Sequence, residues 1–258
     1  MLDKIKELYN FRELLKNLVI KELKLRYKRS VLGFLWTMLN PLMMMLILTI
    51  VFSHWMRFSM KNFSIFLLCG LLPWNYFSHS LSMSTMSLIS NANLINKVYI
   101  PKAIFPLSII FSNMVNMILS LIPLFVLMIF MGINIQPSVI LIPILLLNLI
   151  LFTAGISLFL SCLNVFFRDF THMIEIIITA WFYLTPIIYP IDMIPSKYEM
   201  VFKLNPLVYI IGGFREVIFH GKIPDFNFIL ISVLAALFSF AIGYWYFNRN
   251  EREIIYYI

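Results

Sequence analysis

The residues able to do chemistry are few, and their spacing excludes most of it. A phosphate-cradling loop needs G-x-x-x-x-G-K-[ST]. The one Gly-Lys pair, Gly221-Lys222, is followed by isoleucine, with no glycine five positions before Gly221. His54, His79, His172 and His220 are scattered and lack metal-ligand spacing. Ion-coupled pumps keep carboxylates inside their spans, where each costs roughly 2.5–3.5 kcal/mol or more. Here the clearest charges near apolar runs are Glu175 and the neighbours Arg168 and Asp169. That pair reads as a neutralising interfacial couple or as a hinge contact. His79, among serines, reads as a satisfied polar histidine or as a proton relay.

What remains is a segment suited to contact. Asn91–Pro106, NANLINKVYIPKAIFP, separates two long apolar runs. Asn91 or Asn93 is a candidate helix cap, and Pro101 limits the helix. Leu94, Ile95, Val98 and Tyr99 recur at three- and four-residue spacing, which gives a short helix one apolar face. Such a helix either docks into an energy-supplying partner or lies on a membrane surface as a connector.

The elements that position these residues are membrane spans. The chain of 258 residues is 61% hydrophobic and 12% charged, against about half and about a quarter in soluble domains. The excess gathers into runs of the length that crosses a bilayer. The net charge of +8 sits beside those runs, which points to anionic lipid headgroups, not nucleic acid. Cys69 and Cys162 both fall within apolar runs and read as membrane-packed thiols, not a disulfide. The first apolar run lacks an A-x-A cleavage pattern, so no secretory signal is expected. Six spans are expected, at about Val31–Trp55, Phe63–Ile89, Ile104–Met131, Val139–Phe167, Met173–Tyr189 and Phe228–Phe247. With both termini in the cytoplasm, inside segments carry 14 basic residues and outside loops 6, which satisfies the positive-inside rule. The same orientation places Asn91–Pro106 inside.

Residues 1–30 are expected to form an amphipathic interface helix, with Leu8, Phe11, Leu15, Leu18 and Val19 on one face and lysines around the rest; a loose basic tail is the alternative. Asn10 and Glu13 have capping-box spacing. Pro41, Pro73, Pro123, Pro143 and Pro186 fall within five of the spans and are expected to bend them. Thr153, Ser157 and Ser161, and Ala235, Ser239 and Gly243, repeat every four residues and mark packing seams. Between the last two spans, Asn205 and Pro206 make a helix start and His220-Gly221 a stop. Two short helices, about 196–204 and 206–219, are expected to form an outer lid, with an ordinary loop as the alternative. Arg215 and Glu216 there are expected to seek water or an ion pair. Trp55, Tyr244, Trp245 and Tyr246 suit interfacial anchoring. Deeper aromatics include Phe34, Trp36, Trp74, Tyr76, Phe77, Trp181, Phe182 and Tyr183. Aromatic faces stack on sugars and lipid chains, so these residues either line a path for an amphipathic polymer or simply pack.

Five stretches together resemble one family. They are LKLRYKRSVLGFLWTMLNPL, LLCGLLPWNYFSHSL, NANLINKVYIPKAIFPLS, NVFFRDF and NPLVYIIGGFREVIF. In this order, over nearly the whole chain, they resemble ABC-2-type permeases that export O-antigen, teichoic acid or capsule polysaccharide. No motif departs from that pattern, and none reads out the sugar. The resemblance implies an all-α integral membrane fold of six helices, with residues 1–30 as interface helix and 31–258 as transmembrane domain. It implies a cytoplasmic coupling helix at 91–101, carried by Asn91, Leu94, Ile95, Lys97, Val98, Tyr99 and Pro101. It also implies outer gate helices at 196–219, with Asn205, Pro206, Tyr209, Phe214, Arg215 and Glu216. A substrate path along the first span and its neighbours would include Phe34, Trp36, Trp74, Tyr76, Trp181 and Tyr183. The implied partners are a second copy of the chain, a separate ATP-binding subunit and membrane lipids. The implied substrate is an undecaprenyl-linked polysaccharide, and the implied site of action is the bacterial cytoplasmic (inner) membrane. No cofactor, metal or catalysis is expected on this chain itself; ATP and Mg belong to the partner. A small-molecule exporter permease, a membrane enzyme acting on polyprenyl-linked sugars and a structural scaffold are the alternatives. The loops offer only scattered charges for such an enzyme.

Overall fold

In a medium without water a chain must satisfy its own backbone groups, and a helix does so within one segment. The computed structural model describes residues 9–55 and 60–258, and among them there are helices and turns but no strand. In order these are α1 (Arg12–Tyr27), α2 (Trp36–Thr49), α3 (Phe63–Ser90), α4 (Ala92–Ile95), α5 (Ile104–Phe130) and α6 (Ile142–Phe166). They continue with α7 (Phe170–Tyr183), α8 (Glu199–Lys203), α9 (Pro206–Ile218), α10 (Phe226–Asn250) and α11 (Ile254–Tyr257). Leu8 lies outside the described residues, as do the side chains of Phe34 and Trp55.

By length and composition, α5, α6 with its lead-in turn from Pro137, and α10 qualify as membrane crossings among the described residues. α3 is as long, at 28 residues, but its serine-rich second half makes it less apolar. It lies at the centre of the main core, where Phe66, Leu68, Leu72, Trp74, Phe77 and Leu81 are all buried. α2 and α7 are shorter. α2 is prolonged by a 3-10 turn before it and a π turn, Ile50–Trp55, after it. α7 ends at Tyr183, six residues before the expected boundary, and the chain continues irregularly through Pro190.

Local expectations needed correction where packing or position competes with pattern. Pro41, Pro73 and Pro123 stand inside helices. Pro143 falls in the first turn of α6, where no intrahelical N–H is lost, and Pro186 lies beyond α7. Neither bends a helix interior. Phe11 precedes α1, and no side-chain cap bond is made there, by Asn10 or any other residue. Arg168 and Asp169 are exposed, and no ion pair joins them. Both cysteines are free and buried.

α6 and α10 meet backbone to backbone. A Cβ on Gly243 would stand 1.8 Å from the Gly155 carbonyl oxygen, and one on Gly155 would stand 2.3 Å from the Ser239 backbone. Ser239 Oγ also donates to Phe152 O at 3.0 Å. Of the expected seam Ala235, Ser239 and Gly243, the last two meet α6 directly, and Ala235 is partly buried. Its other side is Gly155. The triplet Thr153, Ser157 and Ser161 is wholly buried on another face of α6; nearby, Asn164 Nδ2 donates to Thr85 O of α3 at 3.1 Å.

A second core joins α1, the turn around α4 and α11. It gathers Leu18 of α1, Leu88, Ile95, Ile100, Phe105, Phe247 and Ile254. Lys102 Nζ donates to Glu251 O at 2.7 Å and ties the loop after α4 to the end of the chain.

Candidate functional site

A cleft of about 410 Å³ opens between the end of α1 and helices α2, α3 and α5. α3 contributes Leu72, Asn75, Tyr76 and His79; α5 contributes Asn113, Asn116, Met117 and Ser120. Both sets have the spacing i, i+3, i+4, i+7, which is one helix face. Trp36, Thr37, Asn40 and Pro41 of α2 close the third side, with Arg26 and Ser30 at one end. No carboxylate lines the cleft among the described residues.

Hydrogen bonds hold these faces in register. Asn113 Nδ2 donates to Ser80 Oγ at 3.2 Å, joining α5 to α3. Ser120 Oγ donates to Thr37 O at 3.0 Å, joining α5 to α2. Arg26 Nη2 donates to Asn113 Oδ1 at 2.7 Å and lies 2.9 Å from Met83 Sδ, bringing α1 onto both. Asn113 and Asn116 are buried. A carboxamide taken out of water is costly unless it is hydrogen-bonded, so this much amide on facing helices marks a polar cleft within an apolar bundle. Amides and hydroxyls beside Trp36 and Tyr76 offer donors, acceptors and stacking faces, which is what a polyhydroxylated ring requires.

Of the aromatics named from sequence, Trp36 and Tyr76 line this cleft. Trp74 and Trp181 belong to the core instead. Trp74 meets Phe77 and Phe182 at ring centroid distances of 5.7 and 5.4 Å, and Trp181 stands edge-on to Phe77 at 5.2 Å. Tyr183 is 65% exposed at the end of α7, away from the cleft. The amides Asn40, Asn75, Asn113 and Asn116 were missed. Their signal was present as polar residues at helical spacing inside apolar runs, in Asn75/His79 and Asn113/Asn116/Ser120.

The Asn91–Pro101 segment is more compact than a full docking helix. α4 covers only Ala92–Ile95, and the chain runs through a turn to Pro101. Asn91 makes no side-chain cap bond. Its Nδ2 donates back to Ser87 O at 2.8 Å, and its Oδ1 accepts from Lys21 Nζ at 3.4 Å. The apolar set divides: Ile95 and Pro101 are buried and Leu94 is partly buried. Val98 and Tyr99 are 54% and 78% exposed, with Lys97 exposed beside them.

The 196–219 segment comprises a 3-10 turn (Ser196–Tyr198), α8 and α9. Asn205 caps α9, accepting from Leu207 N at 3.1 Å, with Pro206 in the first turn. The same oxygen accepts from Trp181 Nε1 at 2.9 Å, while Nδ2 donates to Leu184 O at 3.0 Å and Thr185 Oγ1 at 2.9 Å. One carboxamide therefore ties α9 to the end of α7. Tyr209 donates to Lys203 O at 3.0 Å, and Lys203 pairs with Glu199 at 2.7 Å. The hydrogen bond and charge of the Glu199 carboxylate hold the Lys203 ammonium above its ordinary pKa. Phe214 is fully buried and Glu216 partly so. Arg215 does not seek water or a carboxylate. It is 7% exposed, with its guanidinium carbon 3.9 Å from the Phe66 ring centre and its Nη atoms donating to the carbonyls of Pro186 and Ile187. Gly70 makes room for it, since a Cβ there would stand 2.7 Å from Arg215 Nη2. Gly221, at φ +66°, turns the chain after α9.

Among the described residues a helical bundle with membrane-length apolar helices and a polar, aromatic-lined cleft fits a membrane permease. The chain belongs to the ABC-2 type transporter family, whose model matches residues 13–219. Permeases of this family are the membrane components of ABC transporters, which implies an ABC ATPase as partner. The chain is 37% identical over 229 residues to the O-antigen export system permease protein RfbA of Myxococcus xanthus, covering 87% of each. It is 35% identical over 251 residues to the protein of that name from Klebsiella pneumoniae, covering 95% of this chain and 96% of the relative. It is 26% identical over 248 residues to the polysialic acid transport protein KpsM of Escherichia coli, covering 92% and 93%.

Proposed function

We propose that this chain is the membrane permease of an ATP-driven exporter that moves an undecaprenyl-linked, O-antigen-like polysaccharide across the bacterial cytoplasmic membrane. The carrying observation is the near-full-length likeness to O-antigen export permeases. The aromatic- and amide-lined cleft supports the same reading. In this reading α2, α3, α5, α6, α7 and α10 are the six crossings, with both termini cytoplasmic. α7 with its 14 residues spans about 21 Å, less than the roughly 30 Å of hydrocarbon. The irregular chain through Pro190 would complete that crossing.

Two copies would form the transmembrane unit, each receiving an ATPase subunit that holds ATP and Mg. α1 would lie in the interface, the 91–101 segment would take the push of the ATPase, and the 196–219 helices would gate the outer end. The cleft volume also falls in the range of small-molecule sites, which is the observation favouring a small-molecule exporter of the same superfamily. Deleting the gene and complementing it with this chain plus its ATPase separates the two. Surface polysaccharide lost on deletion and restored by complementation supports export. Unchanged surface polysaccharide in the deletion strain overturns it.

A further inference from the structure

The cleft carries the Arg26 guanidinium at one end. Arg26 is held there by Asn113, which is 2% exposed and is itself bonded to Ser80. Among the described residues no carboxylate pairs with Arg26 or lines the cleft. Chain direction orders the rest. α3 passes from Leu72 to His79 while α5 passes back from Asn113 to Ser120, and the Asn113–Ser80 and Ser120–Thr37 bonds fix their register. Arg26, His79 and Asn113 therefore share the near tier, and Asn40, Asn75 and Ser120 the far tier.

We infer that the near tier is a phosphate-binding subsite, in which the Arg26 guanidinium holds the phosphate or diphosphate of a lipid-linked headgroup while the far-tier amides face the attached sugar. A guanidinium presents its donors as a planar fork that matches phosphate oxygens. A buried acceptor on Asn113 fixes the direction of that fork. The position at the end of α1, the segment read as interfacial, is where a lipid phosphate resides. The sugar half of this assignment rests on the export reading; the anion half rests on Arg26 and its surroundings.

The test uses the full chain with its ATPase subunit in phosphatidylcholine nanodiscs. Geranylgeranyl diphosphate is the probe, geranylgeraniol the uncharged control, and binding is read by thermophoresis. Arg26→Gln is expected to weaken diphosphate binding by about 10- to 100-fold, the range for a lost hydrogen bond to a charged group, and to leave geranylgeraniol unchanged. Arg26→Lys is expected to restore part of the loss, keeping the charge without the fork. The subsite is overturned if Arg26→Gln binds the diphosphate as tightly as the unaltered chain. It is equally overturned if both probes weaken in the same ratio. Adding phosphatidylglycerol identifies the source: displacement of the probe assigns the subsite to bilayer phosphate, and retention assigns it to the substrate's diphosphate. Should polysaccharide reach the surface without this chain while the Arg26 dependence holds, the export reading fails and the subsite stands. Should export require the chain while Arg26→Gln binds normally, the subsite alone fails.

Discussion

Arg215 joins three parts of the chain through one side chain: α9, the Pro186-Ile187 turn after α7, and Phe66 of α3. Arg215→Met keeps much of the apolar stem and leaves both carbonyls without their donor. The expected loss is about 1–3 kcal/mol, the cost of stranding a buried polar group, read as a lower midpoint of thermal unfolding in detergent. Two tryptophans separate packing from path. Trp74 is 5% exposed in the core, so Trp74→Ala is expected to destabilise by about 3–5 kcal/mol. Trp36 is 45% exposed on the cleft, so Trp36→Ala is expected to leave the unfolding midpoint nearly unchanged and to reduce export of long polymer, measured as surface polysaccharide. Residue type did not distinguish these two rings in the sequence. Both lie beside a proline or near one within an apolar run, and only the neighbours of each ring show which one packs and which one faces the cleft.

At the scale of elements, the helices follow from the apolar runs, and their seams follow from small residues. Gly243 and Gly155 meet backbone to backbone, so Gly243→Ala forces α6 and α10 apart. A loss of about 1–3 kcal/mol is expected from such overpacking, again measured by thermal unfolding. The segment after α3 shows where periodicity misleads. Leu94, Ile95, Val98 and Tyr99 share a face only if the helix continues, and α4 stops at Ile95. Ile95 then turns into the second core, and Val98 and Tyr99 are left outward. Replacing Val98 with Asp and Tyr99 with Ala is expected to abolish co-purification of the ATPase while membrane insertion persists. Unaltered co-purification would remove this segment from the coupling role. Asn205 was legible as a cap, because a side-chain acceptor followed by proline is a local signal. Its bonds to Trp181, Leu184 and Thr185 were not, because they depend on α7 ending early beside it.

For the whole molecule, the bundle has a core around α3 and a second cluster that joins α1, the α4 turn and the end of the chain. The segment proposed to receive the ATPase enters this second cluster through Ile95 and Ile100, and the cluster includes Leu18 of α1, the helix whose Arg26 lines the cleft. The proposed topology places both termini inside and 196–219 outside. A cysteine introduced at Lys197, which is exposed, is expected to react with an impermeant thiol reagent in intact spheroplasts. Labelling only after the membrane is opened from the cytoplasmic side would reverse that orientation.

By itself the sequence determined the class of molecule. Apolar runs of bilayer length require helices, basic flanks favour an orientation, and five stretches in order carry the resemblance to ABC-2 permeases. These are properties of single segments, and each can be read without knowing its neighbours. Tertiary structure decided which face of each segment matters. The cleft exists because polar faces of α3 and α5 meet that of α2, and Arg26 has a direction because Asn113 is buried beneath it. Arg215 is buried because Gly70 leaves room and two carbonyls turn toward it. Such pairings join residues far apart in the chain, and local spacing carries no information about them.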